Sequence, residues 1–159
     1  EVPAKGQIAI FNRSHYEDII AVRVKKIFPD PVWKRRYKHV LDFESMLAEE
    51  GTVIIKLFLN ISKEEQKKRL ESRLQDPDKL WKFCMDDLDD RNRWDEFQTA
   101  YQDLIEKTST PEAPWYIIPA DRKWYRNLVV ARLMVEKLRH LQLSLPTPNF
   151  DPASIIIPD

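Results

Sequence analysis

The run Thr52-Val53-Ile54-Ile55-Lys56-Leu57-Phe58-Leu59 constrains the fold more than any other stretch of this chain. It is nearly all apolar, rich in β-branched side chains, and does not alternate with polar residues. A strand wetted on one face alternates; a strand covered on both faces reads as a continuous apolar run, and such strands belong to parallel sheets flanked by helices. The flanks agree. Upstream, Tyr37, Val40, Leu41, Glu44, Leu47 and Ala48 recur at helical spacing, and Gly51 stands where a C-terminal cap glycine belongs. Downstream, Ser62-Lys63-Glu64-Glu65 is a capping box. The helix it opens is expected to run to about Leu74, where Asp76-Pro77 stops it.

Two other apolar runs repeat the pattern. Ile8 to Phe11 reads as a short buried strand, followed by the polar triplet Asn12-Arg13-Ser14 and a helix from about His15 to Ile27, with Ile19, Ile20, Val22 and Val24 on its apolar face. The prolines of Phe28-Pro29-Asp30-Pro31 end that helix in a loop, and Lys34, Arg35 and Arg36 form a small basic cluster beyond it. Trp115 to Ile118 reads as a third strand. Pro119-Ala120-Asp121 then leads into a last helix, with Asp121 as its cap and Trp124, Leu128, Ala131, Val135 and Leu138 as its core stripe. Strands alternating with helices indicate an α/β layer fold with a parallel sheet.

Between these units, Trp94, Phe97, Ala100, Tyr101, Leu104 and Ile105 mark an amphipathic helix, and Thr108 to Pro114 is a loop. Asp76 to Asp90 is dense in charge and poor in apolar residues, so it is expected to be mobile. The tail from Ser144 to Asp159 holds four prolines and an isolated Ile155-Ile156-Ile157.

Composition excludes several classes. Lys plus Arg and Asp plus Glu both number 26, and zero net charge argues against a general nucleic-acid binder. The single cysteine, Cys84, excludes an internal disulfide framework and fits a reducing, cytoplasmic compartment. No apolar run approaches the roughly 20 residues that span a bilayer. His15, His39 and His140 are scattered and form no metal cluster with the cysteine. With two glycines in 159 residues, the chain holds no glycine-rich phosphate loop.

Three constellations remain. Asn12-Arg13-Ser14 follows a strand, and ligands of open parallel sheets bind outside the carboxyl ends of strands. Equally, Asn12 would cap the next helix and Arg13 would be a solvated charge. Arg69 and Arg73 lie four apart and share a helix face, with Lys79, Lys82 and Arg91 just beyond. That set suits an anion over which the charged segment closes, since guanidinium forks bind phosphate oxygens in pairs. Read blandly, it is a surface helix with solvated charges, as Lys63, Lys67 and Lys68 nearby would also be. The third, Pro119-Ala120-Asp121, is read as a helix cap.

The order and spacing of several motifs resemble the second family of polyphosphate kinases. Phe11-Asn12-Arg13-Ser14-His15-Tyr16-Glu17 is similar to that family's Walker B segment. Arg69-Leu70-Glu71-Ser72-Arg73-Leu74, Asp76-Pro77, Lys79 and Trp81-Lys82-Phe83 are similar to its lid. Thr108-Ser109-Thr110, Ala113-Pro114-Trp115 and Pro119-Ala120-Asp121 are similar to its C-terminal signature. The resemblance covers about Gly6 to Leu141. It implies a three-layer α/β/α P-loop kinase-like parallel sheet with a helical lid at about 69–93, residues 1–143 forming the C-terminal part of that domain and 144–159 a Pro-rich tail. It implies phosphoryl exchange between inorganic polyphosphate and adenine or guanine mono- and diphosphates, with Mg²⁺, in a homo-oligomer with no nucleic-acid or membrane partner. Arg13 would contact phosphate, with Asn12 and Ser14 beside it. Arg69, Arg73 and Lys82 would stabilise the transferring group, and Glu17 would face the nucleotide. The Asn-Arg-Ser-His-Tyr-Glu form implies the subclass that accepts both AMP and ADP.

Two departures qualify the implication. Many members carry Asp where this chain has Asn12, and an amide is a weaker ligand for Mg²⁺ than a carboxylate. The family's Walker A loop and first two strands would precede Glu1, so this chain alone is expected to be inactive. Cys84 also stands where a small polar residue is expected. Two other functions fit the same residues: a nucleoside monophosphate kinase with ATP as donor, and a non-catalytic module that binds polyanions.

Overall fold

Two of the apolar runs meet side by side in the computed structural model, which describes residues 2–145 and 147–158. Lys56–Asn60 (β1) and Trp115–Pro119 (β2) pair as parallel strands, in register from Lys56 opposite Trp115 to Asn60 opposite Pro119. The ladder continues one step past the strands, where the Ala120 amide donates to the Asn60 carbonyl at 2.8 Å. In chain order the helices are α1 (Glu17–Val24), α2 (Asp30–Glu49), α3 (Lys63–Gln75), α4 (Asp86–Asn92), α5 (Trp94–Thr108) and α6 (Lys123–His140). Pro77–Lys82 and Pro152–Ser154 are short 3₁₀ turns. The α/β class and the parallel pairing follow the sequence expectation.

Helix ends are set by local chemistry. Ser62 caps α3 by accepting from the Glu65 amide at 3.1 Å, one half of the expected capping box; the other half is replaced, since the Ser62 amide donates to Asp121 Oδ1 and Glu65 Oε1 accepts from Arg69. Gly51, at φ +85°, closes α2: its amide donates to the Ala48 carbonyl and that of Thr52 to the Leu47 carbonyl, both at 2.9 Å. The same pair of bonds ends α1 three residues before the expected Ile27. Lys26 takes φ 54° there, with Ile27 bonded back to Val22. At the start of α2 the sequence expectation is corrected. Residues 30–36 are helical rather than loop, because Pro31 sits in the first turn, where its missing N–H costs no hydrogen bond.

The core lies where α1, α2 and α5 meet. Ile19, Ile20, Val22 and Val24 of α1 pack with Trp33, Tyr37 and Val40 of α2 and with Ala100 and Leu104 of α5. Tyr16 closes one end of this cluster, and Trp115 at the start of β2 packs against it.

Four expectations are corrected. Ile8 to Phe11 is neither strand nor buried; Ile10 is 83% exposed. Strands exist through their ladders, and β1 and β2 pair only with each other among the described residues, so the sheet has two strands rather than three. The apolar stripe of α6 is not core: Trp124 is 63% exposed, and Leu128 and Val135 are exposed too. Periodicity identifies a face that favours burial, but not a neighbour to bury it. Asp121 does not cap α6, whose cap position is Arg122 with no side-chain bond. The charged segment after Asp76 is ordered locally and buries no side chain. The Asp76 carboxylate accepts from the Asp78 amide at 3.1 Å, the Trp81 indole N–H donates to the Asp78 carbonyl at 3.0 Å, and α4 follows.

Candidate functional site

The carboxyl ends of β1 and β2 form an open cleft of about 420 Å³, lined by Asn60, Ser62, Ala120, Asp121, Arg122 and Tyr125 among others. The turns that follow the two strands are tied together. Asp121 Oδ1 accepts from the Ser62 amide at 2.7 Å. Arg69 reaches over from α3, its Nη2 donating to the carbonyls of Ala120 at 2.7 Å and Asp121 at 3.2 Å, while its Nε donates to Glu65 Oε1 at 2.8 Å. Arg69 and Arg73 therefore differ in role despite their shared helix: Arg69 is engaged by the backbone of the β2–α6 turn.

Arg73 turns to the charged arm. Its Nη1 donates to Asp87 Oδ2 at 3.3 Å and to the Lys82 carbonyl at 3.5 Å, so Arg73 and Lys82 are brought together. Lys82 Nζ rests 4.9 Å from the centre of the Trp81 ring. Arg91 fastens α4 back to α3, donating to the Lys63 carbonyl at 2.7 Å and to Gln66 Oε1 at 3.0 Å. The Arg73 contacts are long and partly solvated, so they hold the arm weakly.

The Asn12-Arg13-Ser14 turn precedes α1. Asn12 does not cap that helix; the cap position is Tyr16, without a side-chain bond. Ser14 organises the turn instead, its Oγ accepting from the Tyr16 amide at 3.4 Å and its carbonyl from the Glu17 amide at 3.1 Å. Among the described residues Arg13 is held only by Glu17, at 3.5 Å, and its side chain is 82% exposed. Such a guanidinium is free to meet an incoming anion.

Directly behind this turn lies a network that the sequence reading missed. Lys56, 6% exposed, and Glu44, 4% exposed, form a buried ion pair with Nζ to Oε2 at 2.7 Å. Lys56 also donates to the Tyr16 hydroxyl at 3.0 Å and to the Thr108 carbonyl at 2.7 Å. The Tyr16 hydroxyl donates to Glu44 Oε1 at 2.8 Å, and His15 Nε2 stands 3.4 Å from the same oxygen. Burial alone would raise the Glu44 carboxyl's pKa, but hydrogen bonds from His15, Lys56 and Tyr16 outweigh it and hold the group below its ordinary value. Burial pulls the Lys56 ammonium the other way from its partner, downward, against the pull of Glu44. The carboxylate, with its several donors, is the firmer of the two charges. Desolvation also keeps the Tyr16 phenol protonated well past its usual range. A signal for this network was present: Lys56 is the lone charge in an apolar strand, and Glu44 the lone charge on an apolar helix stripe.

Among the described residues no group of three or more His, Cys, Asp or Glu side chains could hold a metal ion. Asn12, an exposed amide, does not make a Mg²⁺ site by itself. No described helix is long and apolar enough to cross a membrane.

The sequence and the fold recur in known proteins. The chain is 53% identical over 157 residues to an AMP/ADP-polyphosphate phosphotransferase of Meiothermus ruber, covering 99% of this chain and 59% of that protein. It is 37% identical over 158 residues to an ADP-polyphosphate phosphotransferase of Rhodopseudomonas palustris, covering 92% of this chain and 55% of that protein. The crystal structure of polyphosphate kinase 2 from Arthrobacter aurescens TC1 superposes with a TM-score of 0.91 at 48% identity, over 96% of this chain and 54% of that one. The chain thus spans somewhat more than half the length of these relatives. The family model for polyphosphate kinase 2 matches residues 1–145, and the chain belongs to that family.

Proposed function

We propose that the protein to which this chain belongs moves phosphoryl groups between inorganic polyphosphate and nucleoside mono- or diphosphates, making ADP from AMP and ATP from ADP. Phosphoryl transfer runs through a loose transition state with charge spread over the equatorial oxygens, so the protein's main tasks are positioning and electrostatic stabilisation. The observation that carries the reading is the state of the cations. Among the described residues Arg13 is solvent-facing with one weak partner, and Arg73, on α3, meets the Lys82 carbonyl and Asp87 of the charged arm through long, partly solvated contacts. These are groups that an anionic chain can recruit at little cost.

In this reading Arg13, beside Asn12 and Ser14, binds phosphate, and Glu17 orients Arg13 until the ligand arrives. Arg73 and Lys82 close on the transferring group, with residues 69–93 as the lid. Arg69 ties α3, whose C-terminal end leads into the lid, to the Ala120–Asp121 turn. A divalent cation, proposed as Mg²⁺, would screen the phosphates. Asn12 would be a weak ligand to it, with other groups supplying most of its coordination. The exposed thiol of Cys84 suits a reducing, cytoplasmic setting, and the uncovered apolar face of α6 suits assembly with further protein, including other copies.

The test is turnover by the complete protein. ATP formed from ADP and polyphosphate, and ADP formed from AMP and polyphosphate, are the expected results. AMP phosphorylation that needs ATP and ignores polyphosphate would replace this reading with a nucleoside monophosphate kinase. Binding of polyphosphate without any transfer would leave a polyanion-binding module.

A further inference from the structure

The Lys56–Glu44–Tyr16 network takes no part in the chemistry above, yet Glu44 and Lys56 are the most deeply buried charges among the described residues. As a stabiliser the pair is a poor choice, because desolvation offsets most of the Coulomb gain and matched apolar residues would serve as well. What it supplies is direction. The three ammonium protons of Lys56 have three acceptors: the Glu44 carboxylate, the Tyr16 hydroxyl and the Thr108 carbonyl. The Tyr16 hydroxyl is both donor and acceptor within the set. Its ring meets Trp115 edge-on at 4.9 Å, and the Trp115 indole N–H is itself fixed on Thr108 Oγ1 at 2.9 Å. Every freedom of the Tyr16 side chain is thereby removed.

Tyr16 is also the last residue of the Asn12-Arg13-Ser14 turn. Its amide bonds to the Ser14 hydroxyl, and the His15 ring stacks on its own at 4.7 Å. Arg13, three residues away, has no tether among the described residues except Glu17 at the start of α1. The placement of Arg13 therefore depends on the turn that Tyr16 anchors.

We propose that Lys56, Glu44 and Tyr16 are positioning residues: a dry hydrogen-bonded base that sets the Asn12–Ser14 turn and, through it, the Arg13 guanidinium. The part played by Arg13 rests on the function proposed above; the anchoring of the turn does not.

Two variants of the complete protein test this. Tyr16→Phe keeps the ring and deletes the hydroxyl. The paired Lys56→Met/Glu44→Leu removes both charges together, so that neither is left buried alone. In each, amide hydrogen exchange at Tyr16, Glu17 and Asp18 should rise about tenfold while that of α5 holds. Turnover should fall about tenfold or more, as small misplacements of catalytic groups cause. In an Arg13→Ala background, Tyr16→Phe should change kcat by less than about twofold, since groups acting through one another are not additive. Unaltered exchange at residues 16–18, kcat within twofold of wild type in Tyr16→Phe, or fully additive losses with Arg13→Ala would each overturn the proposal. Absence of polyphosphate-dependent turnover in the wild-type protein would overturn the functional reading instead, and the exchange data would still decide whether the network anchors the turn.

Discussion

Two sets of charges in this molecule are built from the same residue types and behave as opposites. At the α2–β1 contact, Lys56 and Glu44 are buried, fully partnered and joined to a phenol and a backbone carbonyl. Between the end of α3 and the arm that follows it, Arg73 and Asp87 are half-exposed and Lys82 exposed, with contacts of 3.3 and 3.5 Å. The difference is one of dielectric surroundings. An ion pair in a dry site is costly to break and cannot exchange partners, whereas a wetted pair is worth little and rearranges readily. The phosphoryl transfer proposed above would use both, a fixed frame and cations able to change partners.

The largest effect should come from breaking the dry pair on one side only. Lys56→Met leaves Glu44 buried without its ammonium, a change that typically costs about 3–5 kcal/mol. Denaturant unfolding of the complete protein should show that loss, and the paired Lys56→Met/Glu44→Leu should recover most of it. A single substitution that costs less than the pair would reverse the comparison.

The contrast also separates what the sequence disclosed from what it hid. Features set by a few adjacent residues were legible: the Ser62 cap of α3, the Gly51 stop, and the strands at Lys56 and Trp115. Features that depend on what lies opposite were not. Ile8 to Phe11 and the α6 stripe carry the right pattern, but no described segment covers them. Asp121 follows a strand as a cap would, yet bonds across to Ser62, 59 residues away. At the site, the exposed cations Arg13, Arg73 and Lys82 were readable as candidates because charge in a helix or turn stands out. Lys56 and Glu44 were read only as members of a strand and a helix stripe, because their meaning lies in each other. The separation of Arg69 from Arg73 was equally hidden, since the backbone carbonyls that engage Arg69 leave no mark in the local sequence.

The next effect in size concerns the wet set. Arg73→Ala and Lys82→Ala should each lower kcat of the complete protein by about a hundredfold, or roughly 2.7 kcal/mol of transition-state stabilisation. Their effect on unfolding should stay under about 1 kcal/mol, as for other solvated pairs. Turnover that is unaltered in both variants would remove the arm from the mechanism; a large loss of stability would place it with the frame.

Acid offers a gentler probe of the same boundary. Hydrogen bonds from His15, Lys56 and Tyr16 hold the Glu44 carboxyl low against burial, and the Arg23 guanidinium holds Asp103 low at 2.6 Å. Groups depressed in the folded state contribute stability above the unfolded carboxylate range, near 4. That contribution is lost as pH falls through the lower folded values. The frame should therefore loosen below about pH 4, seen as a change in Trp115 emission. Tyr16 has the opposite sign: its phenol is held up by burial, so its contribution is complete below about pH 10 and lost above it. The Glu44→Gln variant should flatten the acid limb of the stability profile. An acid limb as steep as that of the wild type would assign the effect to other carboxyls.

The smallest effect is the sharpest control. Lys38 Nζ stands 2.5 Å from Asp42 Oδ2 on the exposed side of α2, the helix that also carries Glu44. In distance this pair is at least as close as Lys56 and Glu44 at 2.7 Å. If separation set the energy, Lys38→Ala would cost as much as Lys56→Met. Water around both side chains cuts the attraction to a few tenths of a kcal/mol, and alanine's helix propensity returns a similar amount. Lys38→Ala should shift unfolding by less than about 0.5 kcal/mol, and that small shift should shrink further in added salt. Two pairs that each use α2, alike in length and an order of magnitude apart in consequence, would show that burial sets which charges form the frame. A Lys38→Ala loss of several kcal/mol would instead show that the two sets differ in name only.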